Sequence, residues 1–191
     1  MIETTAQRIP PLEPPYREEL SRTLSRLMPQ GMEPIRIFRT LAHNHSILDK
    51  MIRGLGTYLL NFGTVDPLER EIVIARATAR CDAEYEWGVH IDFFGRRLGL
   101  TEEQIASTVH GAPSDACWSE RQALLLRLVD ELHETVTVSD ELWDSLHAGW
   151  TSAQIIELIV IAGQYHAISF LVNALRIQLE DGAARFPAFP G

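Results

Sequence analysis

Three side chains in the middle of this sequence could carry out proton transfer. Glu86 and His90 are four residues apart, so on a helix they lie on one face. A carboxylate beside an imidazole orients the ring, fixes its tautomer and raises its proton affinity, which makes the pair a usable proton donor and acceptor. The same spacing is also typical of an ordinary surface ion pair. Upstream, Glu71 lies in an apolar run, and if it faces inward its charge needs a partner.

Polar and aromatic residues near these three could form the rest of a site. Tyr85 and Trp87 flank Glu86 and could line a pocket whose low polarity strengthens its charges. The alternative is that both are core or subunit-contact residues. Tyr165 and Asn173 are polar residues in an apolar C-terminal stretch, where they either face the same cavity or satisfy each other. The predicted substrate-binding residues are therefore Tyr85, Trp87, Tyr165 and Asn173.

No familiar metal-ligand pattern is evident. His43 and His45 are two residues apart, a spacing that does not suit one helix face, and Glu86 with His90 supplies only two ligands. We therefore predict no metal and no cofactor. Three other histidines are interpreted as isolated surface residues and a fourth as an ordinary packed residue: His110, His133, His147 and His166.

The hydrophobic pattern predicts an all-α fold. A proline-rich extended arm over residues 1–15 precedes a single helical domain over residues 16–182, and residues 183–191 form a tail. Asp66-Pro67 is typical of a helix start, and the pairs Thr101/Gln104 and Thr151/Gln154 predict capping boxes. The last helix is expected to reach about residue 180, with a break near Gly163. Residues 136–138 are the only short β-like run.

Composition restricts the partners. The 191 residues include 17 basic and 26 acidic ones, a net charge of -9, which argues against nucleic acid or an anionic membrane as the main partner. The longest apolar stretch, residues 155–163, is interrupted by Glu157 and is too short to span a bilayer. We find no signal peptide, and two cysteines are too few for a disulfide scaffold. These features predict a cytoplasmic protein.

Three segments resemble one known superfamily. The pattern REIVI…YEWGVH within residues 66–90, the stretch over residues 156–174 and the segment at residues 38–44 are similar to the carboxymuconolactone decarboxylase/alkylhydroperoxidase D superfamily. The resemblance covers about residues 35–180. It implies a compact helical bundle that assembles into a trimer or hexamer, with sites near subunit contacts. The apolar circumference of the last helix agrees with a homo-oligomer, because such a helix is buried in a core or an interface.

The sequence departs from the peroxidase branch of this superfamily at two positions. In that branch a helix carries Cys-x-x-Cys, then three residues and a histidine, with a glutamate upstream. Aligned on His90, the glutamate corresponds to Glu71, but the two cysteine positions hold Ala83 and Glu86. Because a dithiol relay needs both sulfurs, that mechanism is excluded at this position. Cys81 lies two residues before the first cysteine position.

Without the paired cysteines, the sequence resembles the non-redox branch of the superfamily, the lactone decarboxylases, which perform acid–base chemistry. We predict a cofactor-free lyase or isomerase acting on a small organic acid or lactone. His90 would donate and accept the proton. Glu86 would orient the His90 ring or take a proton itself, and Glu71 would act as a relay that contacts His90 and not the substrate. The candidates for holding a substrate carboxylate are Arg70, Arg76 and Arg80.

Two alternatives remain open at the level of sequence. One is a thiol-dependent alkylhydroperoxidase that uses Cys81 with an external reductant. The structural interpretation of Cys81 is instead that it is a small residue buried near a helix end. The other is a non-catalytic helical oligomer that binds a ligand in the same pocket.

Overall fold

Regular structure in this protein is helical. The computed structural model describes residues 6–29 and 31–188, and within those ranges it contains helices and no strand, so the all-α prediction is confirmed. The predicted β-like run at residues 136–138 is not a strand, because Val136 ends a helix with a left-handed φ of 61°. The helices are α1 (Glu18–Leu24), α2 (Arg36–Leu41), α3 (His45–Met51), α4 (Thr57–Asn61), α5 (Pro67–Arg80), α6 (Glu84–His90), α7 (Arg96–Leu98), α8 (Glu102–His110), α9 (Glu120–Thr135), α10 (Asp140–Gly149) and α11 (Ser152–Leu175).

Local sequence fixes where several helices begin. The Asp66 side chain accepts hydrogen bonds from the backbone N–H groups of Leu68 and Glu69, and Pro67 occupies the first turn of α5. At the start of α8 and of α11, threonine and glutamine form the predicted reciprocal capping boxes. These side chains satisfy backbone N–H groups that have no partner inside the helix, so the starts are set without help from the rest of the fold.

Helix α5 is the centre of the larger core. It packs against α6, α8, α9 and α11, and Ile72, Val73 and Ile74 are completely buried. Its charged residues Arg70, Glu71 and Arg76 are also buried, with exposed fractions of 7%, 1% and 4%. Charges are rarely enclosed in this way without partners, so the middle of α5 must be surrounded by matched polar groups.

The helix that carries His90 contains an irregular turn. After α6 the backbone widens into a π-helical turn, Ile91–Gly95, and continues as α7 before Gly99 ends it with a left-handed φ of 104°. The predicted single helix over residues 84–98 is therefore continuous but not uniform. Turns of this kind are uncommon and occur frequently at functional sites.

Helix α11 differs from its prediction in two respects, its continuity and the position of its end. It is not broken at Gly163, and it ends at Leu175 rather than near residue 180, because Arg176 adopts a left-handed φ of 53°. By length and composition α11 could cross a membrane. Its inner side, however, packs on α5, α6, α9 and α10, and its buried Glu157 carboxylate accepts hydrogen bonds from the N–H groups of Thr64 and Val65.

Both terminal segments contact the helical body. The Arg8 N–H donates to the Leu175 carbonyl and the Leu12 N–H to the Arg39 carbonyl. At the other end, the Phe186 ring packs edge-on against Trp87 at 5.2 Å between centroids. The described parts of the predicted arm and tail thus pack on the domain. Residues 1–5 and 189–191 of those two segments lie outside the described residues.

Candidate active site

A cavity of about 360 Å³ separates the N-terminal helices from α6 and α11. Most of its lining is apolar and comes from the segment between α1 and α4 and from the π-helical turn. The polar side chains of Glu86, His90, Gln164 and Tyr165 interrupt this lining on the α6 and α11 side. A mostly apolar cavity with a few convergent polar groups is the usual form of a small-molecule site.

His90 is held by a buried carboxylate on α5. Its Nδ1 lies 2.7 Å from Oε2 of Glu71, and Oε1 of Glu71 accepts a hydrogen bond of 2.9 Å from Nε of Arg70. Arg70 also donates to the Leu60 carbonyl at 3.0 Å. Because Glu71 can only accept when ionised, Nδ1 of His90 carries a proton and the ring orientation is fixed.

The other ring nitrogen of His90 lies beside a second carboxylate. Nε2 is 3.6 Å from Oε1 of Glu86, which is too long for a direct hydrogen bond. Both residues line the cavity, and Glu86 is 6% exposed. The His90 ring is enclosed by Tyr165, edge-on at 4.8 Å between centroids, and by Phe94 at 5.3 Å. Nε2 and the Glu86 carboxylate are therefore the groups that a bound molecule would meet.

The protonation of His90 follows from these neighbours. Burial alone lowers the pKa of an imidazole, but here the Glu71 carboxylate, followed by that of Glu86, outweighs burial and raises the His90 pKa from 6.5 to about 9. His90 is thus an imidazolium at neutral pH. The positive charges of His90 and Arg70 balance the negative charges of Glu71 and Glu86. The Nε2–H group of His90 is then a proton donor at the cavity.

Tyr165 supplies a second donor. Burial, followed by the charges of Glu86 and Glu71, raises its pKa well above 10, so the phenol stays protonated. Its side chain lines the cavity and makes no hydrogen bond to any of the residues that the structure describes. The hydroxyl is consequently available to a bound molecule.

Of the four predicted substrate-binding residues, Tyr165 lines the cavity and the other three do not. The Tyr85 hydroxyl accepts from the Ile37 N–H and donates to Glu180, so this ring is a buried link between segments. Trp87 lies in the larger core and donates from Nε1 to Thr108. Asn173 is exposed and donates to the Cys81 carbonyl. None of these three residues lines the cavity, and helix periodicity alone does not say which neighbour covers each face.

The predicted carboxylate-binding arginines are occupied by other partners. Arg70 pairs with Glu71, Arg76 binds Asp130 through two hydrogen bonds, and Arg80 pairs with Glu134. The arginines that line the cavity are Arg26 and Arg97, both exposed. Arg97 has no ion pair with any residue in the described ranges. In a regular α-helix a residue seven positions after His90 lies two turns along the same face, and that spacing is the sequence signal that could have identified Arg97.

Neither Cys81 nor Cys117 lines the cavity. Both are free and half-buried. Burial is the main cause that raises the pKa of each thiol, with the nearby Asp82 adding to it at Cys81. A raised thiol pKa reduces the fraction of nucleophilic thiolate, which is the opposite of what a reactive cysteine needs.

Comparison with known proteins identifies the fold. The sequence matches no protein-family model and no curated protein. Among solved structures, the chain is similar to an uncharacterized peroxidase-related protein from Silicibacter sp. TM1040, with a TM-score of 0.76, 17% identity and 97% of each chain covered. A second, an uncharacterized peroxidase-related protein with an alkylhydroperoxidase AhpD core from Ralstonia eutropha JMP134, gives a TM-score of 0.69 at 15% identity, over 92% of this chain and 95% of that one.

A third similar structure is the debrominase Bmp8 in complex with 2,3,4-tribromopyrrole. It gives a TM-score of 0.71 at 15% identity and covers 92% of this chain and 93% of that one. At such low identity these similarities establish a shared fold, the alkylhydroperoxidase D-like fold that the sequence motifs indicated. They do not transfer an activity, because one fold serves unrelated reactions.

Proposed function

We propose that this protein is a cytoplasmic enzyme that performs acid–base chemistry on a small organic acid or lactone, as a lyase or isomerase without a cofactor. The observation that carries the proposal is the buried chain Arg70–Glu71–His90, whose last atom, Nε2 of His90, lies beside Glu86 at the cavity. A proton donor and a carboxylate within 3.6 Å of each other form a general acid–base pair.

Decarboxylation of an unsaturated lactone acid illustrates how these groups would act. The bond between the ring carbon and the carboxylate breaks, carbon dioxide leaves, and the electron pair moves toward the lactone carbonyl as an enolate. Tyr165 would stabilise the developing oxyanion by donating a hydrogen bond, and His90 would deliver a proton to carbon. Glu86 would return a proton from solvent to His90.

The cavity favours a small and mainly apolar substrate with one anionic end. Its apolar surface, provided by residues such as Ile37, Phe38 and Leu41, would exclude water and strengthen the charges near His90. Arg97 would bind the substrate carboxylate at the exposed end, since a guanidinium matches a carboxylate in geometry as well as charge.

The experiment is proton nuclear magnetic resonance in D₂O with a panel of lactone acids and β,γ-unsaturated acids. We expect the enzyme to catalyse either turnover or exchange of a carbon-bound proton for deuterium in one of them. Exchange is informative even when a compound is not the natural substrate, because it requires only enolisation. Neither exchange nor turnover across the panel would count against the proposal and favour a non-catalytic ligand-binding protein.

A thiol-dependent peroxidase is the competing function, and the names of two structural neighbours suggest a peroxide assay. Cys81 is its candidate nucleophile. We expect no hydroperoxide consumption with a dithiol reductant beyond that of the matched Cys81→Ser variant. Rapid consumption that depends on Cys81 would contradict the acid–base assignment.

We also propose that α11 contacts another copy of the chain in a trimer or hexamer. Ile156 and Phe170 are 63% and 67% exposed on its outer face, and they flank Gly163 and Ala167, which are also exposed. A row of apolar and small residues along a long helix suits close packing against a second helix.

Light scattering coupled to size-exclusion chromatography tests this contact. We expect an oligomer for the unmodified protein and a smaller species for the double variant Ile156→Glu/Phe170→Glu, because two buried charges would destabilise the interface. The control is Val136→Glu, which changes an exposed apolar residue (88% exposed) at the end of α9. A monomer before substitution would refute the contact.

A further inference from the structure

Outside the cavity, the fold brings together three residues of kinds that bind metal ions. Cys81 follows the last residue of α5, His133 lies near the end of α9, and His166 lies in the middle of α11. One ligand atom from each, the cysteine sulfur and a ring nitrogen of each histidine, lies within 4.8 Å of the others. All three residues are half-buried, and none of them lines the His90 cavity.

The histidine pair is already oriented for a shared ligand. Nδ1 of His166 lies 2.9 Å from the Ala162 carbonyl, so it carries a proton, and the lone pair of this ring is on Nε2. That lone pair faces Nδ1 of His133 at 2.9 Å. An imidazole whose second nitrogen donates to a backbone carbonyl is the usual arrangement of a metal-binding histidine.

The distances are close to those of an occupied site. Two nitrogens bound tetrahedrally at about 2.05 Å from one ion are about 3.3 Å apart, and a sulfur at about 2.3 Å is about 3.6 Å from each nitrogen. The present separations are 2.9 Å between the histidine nitrogens and at most 4.8 Å elsewhere, so they differ from the ideal values by at most about 1.2 Å.

The backbone around the three ligands is fixed by the core. Helix α5 packs on both α9 and α11, and the Asn173 amide donates to the Cys81 carbonyl at 2.7 Å. Three rigid elements thus present one ligand each, which lowers the entropic cost of assembling a site. Sequence spacing contains no signal of this cluster, because its three members lie far apart along the chain, on three different elements.

Nearby charges suit a cation. The acidic side chains of Asp82, Asp130 and Glu134 surround this cluster, and Arg80 is the cation that acts on it directly. Arg80 is paired with Glu134 and lies 3.5 Å from Asp130, and Asp130 is also bound by Arg76, so three negative charges stand against two positive ones. The local balance is therefore negative, and partial exposure leaves a route for an ion from solvent.

We propose that Cys81, His133 and His166 form a binding site for Zn²⁺ or a similar borderline-soft divalent ion. One thiolate and two imidazoles are ligands that zinc prefers, and a water molecule would complete the tetrahedron. On binding, the Cys81 thiol releases its proton to solvent and its sulfur bonds to the ion. The proton on Nδ1 of His133 moves to Nε2 of the same ring, so that Nδ1 of His133 and Nε2 of His166 each contribute one lone pair to the ion. The site lies away from His90, and its existence does not depend on the proposed acid–base activity.

Cobalt provides the direct test, because Co²⁺ occupies zinc sites and reports thiolate ligation in its absorption spectrum. We expect the metal-free protein to bind about one Co²⁺ per chain, with a thiolate-to-cobalt charge-transfer band that Zn²⁺ abolishes. Cys81→Ser should remove the band, and His166→Gln should weaken Zn²⁺ binding about tenfold or more. Zn²⁺ should also raise the melting temperature of the unmodified chain more than that of either variant.

Matched variants exclude other ligands. Cys117→Ser changes the other free thiol, and His147→Gln changes an exposed histidine on α10; both should bind like the unmodified protein. His90→Gln should also retain binding. The proposal is overturned if the unmodified chain does not bind Zn²⁺, if Cys81→Ser and His166→Gln bind as well as the controls, or if binding is lost in His90→Gln. Circular dichroism of the metal-free variants checks that each is folded.

Discussion

Replacing His90 with glutamine is expected to reduce catalysed proton exchange or turnover by about 100-fold or more, the usual contribution of a general acid–base residue. Glutamine can still donate a hydrogen bond to Glu71, so the buried Arg70–Glu71 pair keeps a partner at that position. It cannot supply a proton from the position of Nε2. The measurement is the initial rate in the D₂O experiment, with binding of the same compound followed by calorimetry.

The matched control for this change is His147→Gln, at an exposed position on α10, which should retain the full rate. Circular dichroism and thermal unfolding should show that both variants are folded. If His90→Gln exchanged protons as fast as the control, His90 would not be the proton donor and the assignment of the cavity would be wrong.

The pH dependence of the rate depends on the same residue. The groups that face His90 are Glu71, Glu86 and Tyr165, and the two carboxylates raise its pKa to about 9. As an acid, His90 is active when protonated, so the rate should decrease as pH increases through about 9. The raised pKa also stabilises the fold: that contribution is complete below about pH 6.5 and is lost as pH rises through 9. His90→Gln should remove this change near pH 9 from the pH dependence of the rate and from the pH dependence of the stability.

Replacing Glu71 with alanine is expected to destabilise the protein by about 3–5 kcal/mol, the typical effect of breaking a buried ion pair by removing one partner. The side chains of Arg70 and Glu71 are 8% and 1% exposed, so the guanidinium would lose its carboxylate without gaining water. His90 would lose its hydrogen bond from Nδ1 as well. Chemical denaturation monitored by circular dichroism measures the change in the free energy of unfolding.

Two further variants show whether burial is the cause. Glu102→Ala breaks an ion pair with Arg96 whose carboxylate is 74% exposed, and it should cost less than about 1 kcal/mol. The double variant Arg70→Met/Glu71→Leu removes both charges and should recover much of the stability lost in Glu71→Ala. Equal effects of Glu71→Ala and Glu102→Ala would show that the buried pair is not important for the fold.

The helices were predictable because their signals are local. Asp66 and Pro67 begin α5, and Thr101 and Thr151 begin α8 and α11 by binding backbone groups within three residues. The end of α11 was not predictable, because Arg176 adopts a left-handed conformation that nothing in its residue type requires. The segment after it is held by distant partners, and these contacts determine where the helix ends. Ile177 is buried in a second apolar cluster that includes Leu24 and Leu48, and Glu180 binds Tyr85.

The sequence by itself determined the helical class, the face shared by Glu86 and His90, and the lack of the paired cysteines. Each of these depends on residues within a few positions of one another. Only the tertiary structure decided that Glu71 reaches His90 from another helix, that Tyr85 and Trp87 turn away from the cavity, and that Cys81 meets two histidines. Periodicity defines the faces of a helix, but which face meets which neighbour is decided by the packing of all the helices together.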